Sequence, residues 1–128
     1  MSQANQSAEA CCGPGPKLIF ACSGAADVGK ISDLAARKLT AEGAGKMFCL
    51  AGIGGRVSGI METTRVATAI LAIDGCPLDC AKKTLEQAGF AKFEHICLSD
   101  LGMEKGKTAP TDEAVATVVD LGKSRLAG

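Results

Sequence analysis

Asp74-Gly75-Cys76-Pro77-Leu78-Asp79-Cys80-Ala81 is the stretch whose reading decides the fold. An apolar run rich in β-formers, residues 67–73, leads into it, and a helical pattern over residues 81–88 leaves it and stops at Gly89. The two cysteines therefore straddle a strand-to-helix turn. Gly75 permits the tight bend. Pro77 suits the first position of a helix, which makes Cys76 the expected N-cap and a helix the expected structure over residues 77–88. Cys80 then falls one turn later on the same side, since residues four apart are neighbours on a helix. Two sulfurs so placed can share a metal ion. The N–H groups and dipole of a helix start also favour thiolates there.

Moving outward, the same alternation repeats. Lys17-Leu18-Ile19-Phe20-Ala21-Cys22 is a short apolar run suited to a strand buried on both faces. After the small residues 23–26, a helix is expected over about residues 27–42, with Val28, Ile31, Leu34, Ala35 and Leu39 on one side and Gly43 and Gly45 ending it. Residues 46–51 read as a second strand, followed by a glycine-rich loop at 52–59 and a short polar turn. Residues 67–73 form the third strand and 93–98 the fourth. A loop rich in Gly and Lys fills residues 101–110, and a last helix runs from Thr111 to about Arg125 with Val115, Val118, Val119 and Leu121 inward. Strands alternating with helices predict right-handed βαβ crossovers around a mainly parallel sheet of about four strands. The expected fold is a small three-layer, Rossmann-like α/β domain. In such sheets ligands sit beyond the carboxyl ends of the strands.

The totals agree. The 128 residues suffice for one domain, placed at residues 17–128 after a flexible tail at 1–16 that contains Cys11-Cys12-Gly13-Pro14-Gly15-Pro16. Hydrophobic residues are 47% and charged residues 22%, ordinary values for a soluble protein. Four Phe are the whole aromatic complement, so Ala, Leu, Ile and Val must build the core. Fourteen basic residues balance fourteen acidic ones, which removes the electrostatic footprint of a nucleic-acid binder. No apolar run is long enough to span a bilayer. Residues 1–10 lack the apolar core of an export signal, so a cytoplasmic location is expected. Seven cysteines in such a chain read as metal or redox thiols rather than a disulfide framework.

Four of those cysteines fall at one place. Cys22 closes the first strand, Cys49 lies near the end of the second, Cys76 follows the third, and Cys80 begins the next helix. All four reach the carboxyl edge of the sheet, where four sulfurs can surround a zinc ion at about 2.3 Å. The plain alternative is that Cys22 and Cys49 are small buried hydrophobes. The DGCPLDCA stretch, together with CSGAADVG after an earlier strand and a strand cysteine between them, resembles the DGC-domain family of zinc-binding proteins. The resemblance covers about residues 17–125. It implies zinc as the cofactor and places the four characteristic cysteines of the family on Cys22, Cys49, Cys76 and Cys80. Cys11, Cys12 and Cys97 match no part of that pattern.

Other motifs carry less. Gly24-Ala25-Ala26-Asp27-Val28-Gly29-Lys30-Ile31 nearly spells a P-loop, but Ile31 stands where a hydroxyl must hold magnesium, so nucleotide hydrolysis is not expected. The glycine-rich loop with Arg56 has two open readings, an anion cradle or a cover over the cysteines. His95 is placed at the amino end of the fourth strand, away from the cysteines and no ligand. The acidic residues form no pair for acid–base work, so a binding role is expected over an enzymatic one, with a metal ion as the partner. Two further readings stand beside zinc. Cys76 or Cys22 is placed to act as a redox thiol or nucleophile, and four thiolates can hold an iron–sulfur cluster.

Overall fold

Leu18 and Phe20 face one side of strand β1 (Lys17–Ala21), Ile19 and Ala21 face the other, and all four are buried. A strand apolar on both faces belongs inside a covered sheet. In the computed structural model, which describes residues 15–127, β1 is a central strand. The four strands are parallel, in the order β2 (Lys46–Met47), β1, β3 (Ala69–Asp74), β4 (Glu94–Cys97). Helices α1 (Asp27–Ala41) and α5 (Asp112–Ala127) cover the face that carries Ile19, Leu71, Ile73 and Ile96. Helices α2 (Leu50–Gly54), α3 (Ser58–Arg65) and α4 (Cys80–Gln87) cover the opposite face, against Leu18, Phe20, Ile70 and Ala72. The fold is therefore a small Rossmann-like α/β domain.

The connections locate its functional edge. The helix after β1 packs on one face and the helix after the adjacent β3 packs on the other. The gap between those two strands is thus the topological switch point, where open α/β sheets form a crevice at their carboxyl ends. Register pairs Ala21 with Ile73 and Asp74 with Cys97, and the Cys22 amide donates to the Ile73 carbonyl at 3.0 Å. Cys22, Asp74 and Cys97 therefore meet at one edge.

Three segments differ from the sequence expectation. The second strand is only two residues long, because the chain bends at Cys49 and enters α2. The Cys49 sulfur accepts from the Gly52 amide at 3.3 Å and so caps that helix. Residues 52–59 are not one glycine-rich loop but the end of α2, a turn and the start of α3. Gly52 is needed there because a Cβ would sit 2.1 Å from the Ile60 side chain, so its lack of a side chain lets α2 approach α3. The helix after β3 begins at Cys80, with Asp79 as N-cap, rather than at Pro77 with Cys76 as N-cap. Cys76, Pro77 and Leu78 form a turn closed by the Asp79 amide on the Cys76 carbonyl at 3.2 Å. The other elements lie within about two residues of expectation. The expected tail at 1–16, with Cys11 and Cys12, lies outside the described residues except for Gly15 and Pro16.

Two contacts bind this edge together. A Cβ on Gly75 would lie 2.8 Å from the Val28 carbonyl carbon, so the turn after β3 seats directly on the first turn of α1. The Asp27 carboxylate accepts from the amides of Val28 at 2.7 Å, Gly106 at 2.8 Å and Thr108 at 3.0 Å. That straps residues 104–108 across the start of α1. Bonds from Gly106 first and Thr108 second hold the Asp27 carboxyl below its usual value of 3.8.

Gly75→Ala is expected to destabilise the domain by about 1–3 kcal/mol, as overpacking against rigid backbone does, measured by urea unfolding; full stability would mean the two turns are not in contact. The lowered Asp27 pKa gives a strap attachment that is complete above pH 3.8 and lost as pH falls through the folded value. Protection of the Gly106 and Thr108 amides, relative to their intrinsic exchange rates, should therefore be lost only in acid, and Asp27→Asn should lower it at neutral pH.

Candidate metal centre

Asp74 ends β3 with 1% of its surface exposed, so its carboxylate must be fully partnered to be tolerated. Its Oδ1 accepts from the Ala81 amide at 2.7 Å and its Oδ2 from the Lys82 amide at 3.0 Å. These are two of the free N–H groups at the start of α4, so the aspartate caps the helix from the end of the preceding strand. His95 Nε2 lies 2.9 Å from Asp74 Oδ2 and 3.7 Å from Asp79 Oδ1. The carboxylate thus joins β3, α4 and β4. The two cysteines of the motif hang on this joint, one on each side.

His95 is a correction to the sequence reading, which set it apart from this edge. It pairs with Ala72 in register, on the same face as Asp74, and its side chain reaches up to the carboxylate. The signal was strand register, which no residue in the sequence fixes by itself. Asp74, Asp79 and His95 are, among the described residues, the group of three whose ligand atoms all lie within 4.8 Å of one another. Within this trio the Asp74 oxygens also cap α4, so the three residues tie β3, α4 and β4 together.

The cysteines divide between two hollows with one common wall. Cys22, Cys76 and Cys80 line a cavity of about 530 Å³ between the turn after β1 and the turn after β3. Cys22 and Cys49 line a second of about 500 Å³ on the β2 side. Cys49 and Cys80 are exposed and Cys22 and Cys76 half-buried. Cys22 Sγ accepts from the Gly75 amide at 3.4 Å and sits 3.2 Å from Ser32 Oγ. Ser32 Oγ itself donates to the Gly29 carbonyl at 2.8 Å, and the Gly52 amide donates to Cys49 Sγ at 3.3 Å. Cys97 is buried with its sulfur 3.0 Å from Ser99 Oγ and lines neither cavity.

The donor set fits a thiophilic divalent ion in chemistry: four sulfurs on one edge, two of them already accepting backbone N–H groups. Among the described residues no three of these sulfurs lie within 4.8 Å of one another, so the thiols share an edge without being gathered into one cluster. Of the three non-glycine residues with left-handed φ among the described residues, two flank these cysteines and the third, Arg56, lies in the turn after α2. Ser23, directly after Cys22, and Asp79, directly before Cys80, hold φ of 52° and 56°, left-handed values that are strained for non-glycine residues. Ser23 is held there by its hydroxyl donating to Asp33 at 2.8 Å.

The remaining motifs resolve as structure. Ile31 is fully buried, so the near-P-loop has no magnesium-binding hydroxyl at that position. Arg56 donates to the carbonyls of Ile53, Gly54 and Gln87 and clamps α2 to the end of α4, so its guanidinium serves the packing of two helices. Among the described residues no helix is long and apolar enough to cross a membrane.

Removal of the cap should be visible. Asp74→Ala is expected to cost about 2 kcal/mol, in the range for a lost helix cap and a lost charge-assisted bond, read in urea melts. Amide exchange at Ala81 and Lys82 should rise with it, and unchanged stability would contradict the anchoring role.

Comparison with known proteins places the chain. The DGC domain family matches residues 18–121. The chain is 34% identical over 106 residues to the "Anaerobic and virulence modulator AnvM" of Pseudomonas aeruginosa, covering 81% of each protein. No solved structure matches it. With the Asp-Gly-Cys turn seated between β3 and α4 and the family match running over nearly all of the sheet, the chain belongs to the DGC domain family.

Proposed function

We propose that this protein binds zinc through Cys22, Cys49, Cys76 and Cys80, as a structural metal or as a stored and delivered cargo. The observation that carries the reading is the placement of four thiols around one sheet edge, with Cys22 as the wall common to both hollows. Each residue has a definite part. Cys22 and Cys76 bring the ends of the two central strands to the ion, Cys80 brings the start of α4, and Cys49 closes the set from the β2 side. The Gly75 and Gly52 amides orient the Cys22 and Cys49 sulfurs by donating to them. Asp74 keeps Cys80 in place by holding the first turn of α4. A zinc ion held by four thiolates supplies a cross-link with a closed tetrahedral shell, leaving no coordination position for water. That favours retention and exchange of metal over hydrolysis.

The exposure of Cys49 and Cys80 suits exchange with an acceptor that brings its own thiols. The relative, named as an anaerobic modulator, is compatible with a site whose occupancy depends on the state of its thiols.

Protein purified without added metal or chelator is expected to contain about one zinc per chain by elemental analysis. Cys76→Ser/Cys80→Ser should lose most of it while keeping its far-ultraviolet circular dichroism. Full zinc content in the double variant would refute the assignment, and a brown, iron-containing protein would favour a cluster.

A further inference from the structure

The 530 Å³ cavity between the turns after β1 and β3 is large for a metal site and of the size that holds small organic ligands. It lies at the topological switch point, between loops that leave adjacent strands toward opposite faces. Its wall is mainly apolar: Ala25, Ala26 and Val28 on one side, and Leu78 with its neighbouring thiols on the other. Leu78 is 61% exposed, which leaves a large apolar side chain of the DGC turn uncovered at the cavity.

The charges set the sign of a ligand. Asp74 lines the cavity, but its oxygens are engaged by the Ala81 and Lys82 amides. Asp27, next to the cavity, is likewise engaged by the Gly106 and Thr108 amides. Lys105 also lines it, placed by the strap that Asp27 holds, and among the described residues no carboxylate pairs with it. Lys105 is thus the charged side chain on the wall for which, among the described residues, no ion pair or side-chain hydrogen bond is formed.

We propose that this cavity binds a small organic acid, with its apolar body between the two turns and its anionic group on Lys105. The strap makes the ammonium part of the site, so Asp27 acts as a positioning residue for it. The cavity shares Cys22, Cys76 and Cys80 with the proposed zinc site, so zinc content is measured separately for each variant; Lys105 and Gly24, which also line it, are not among the proposed metal ligands.

The structure supplies a blocking variant. A Cβ added to Gly24, which lines the cavity, meets no atom within 4 Å, and Gly24 is not among the glycines with positive φ. Gly24→Leu therefore adds an apolar side chain to a wall position whose backbone accepts a Cβ. The probe is anilinonaphthalene sulfonate, an apolar body with one sulfonate, followed by fluorescence and displaced with octanoate, octanol or octylammonium. Wild-type protein is expected to show saturable binding at one site, with octanoate displacing the probe about tenfold better than octanol, the worth of one charge-assisted contact. Lys105→Glu should weaken octanoate about tenfold while leaving octanol nearly unchanged. Gly24→Leu should abolish binding with an unchanged melting temperature. No saturable binding, octylammonium competing as well as octanoate, or wild-type affinity in either variant would overturn the proposal.

Discussion

A buried carboxylate with nowhere to hide its charge organises the functional edge. Asp74 is nearly inaccessible to water, so it must find donors within the protein, and it finds them in two amides of α4 and the imidazole of His95. Burying an unpaired charge costs several kcal/mol, which makes this arrangement an all-or-none constraint. Once it is satisfied, the start of α4 is tied to the end of β3, and the segment between must be a tight turn. Cys76 lies inside that turn and Cys80 just beyond it. The aspartate of the motif is thus an anchor, while its cysteines are the groups presented.

The glycine of the motif acts at a second contact. Because Gly75 lacks a side chain, the turn after β3 rests on the backbone of α1, and the amide of the same residue points at Cys22 Sγ. One residue therefore brings two strand ends together and supplies a donor to the sulfur between them. The strained backbone at Ser23 and Asp79 lies at the same junctions. Strain of that kind persists only where the surroundings over-determine it, and here the Ser23 hydroxyl on Asp33 and the Asp74 cap on the first turn of α4 do so.

Most of the architecture was legible because it rests on local patterns. The apolar runs around Leu18 to Ala21 and Ile70 to Ile73, the helical period from Val28 to Leu39, and the turn chemistry at Gly43 and Gly89 each point to one element. What was not legible depends on contacts across the sequence. Pro77 looked like a helix start, yet a side chain three residues earlier supplies the cap and moves that start to Cys80. Cys49 looked like a strand residue, yet its sulfur caps a five-residue helix that the pattern alone reads as loop. His95 looked remote, because its neighbour Asp74 is set by strand register. The edge that gathers Cys22, Cys49, Cys76 and Cys80 was readable from topology, whereas the split of their side chains between two hollows depends on packing around Cys22.

The central claim is that the thiols, and not the Asp74–Asp79–His95 network beside them, are the metal-binding groups. X-ray absorption at the zinc edge of the zinc-loaded protein tests this directly, because sulfur and nitrogen or oxygen neighbours scatter differently and at different distances. The account predicts a first shell of sulfur alone at about 2.3 Å. A shell containing nitrogen or oxygen at about 2.0–2.2 Å, lost in His95→Ala, would place the metal on the carboxylate–imidazole network and contradict it.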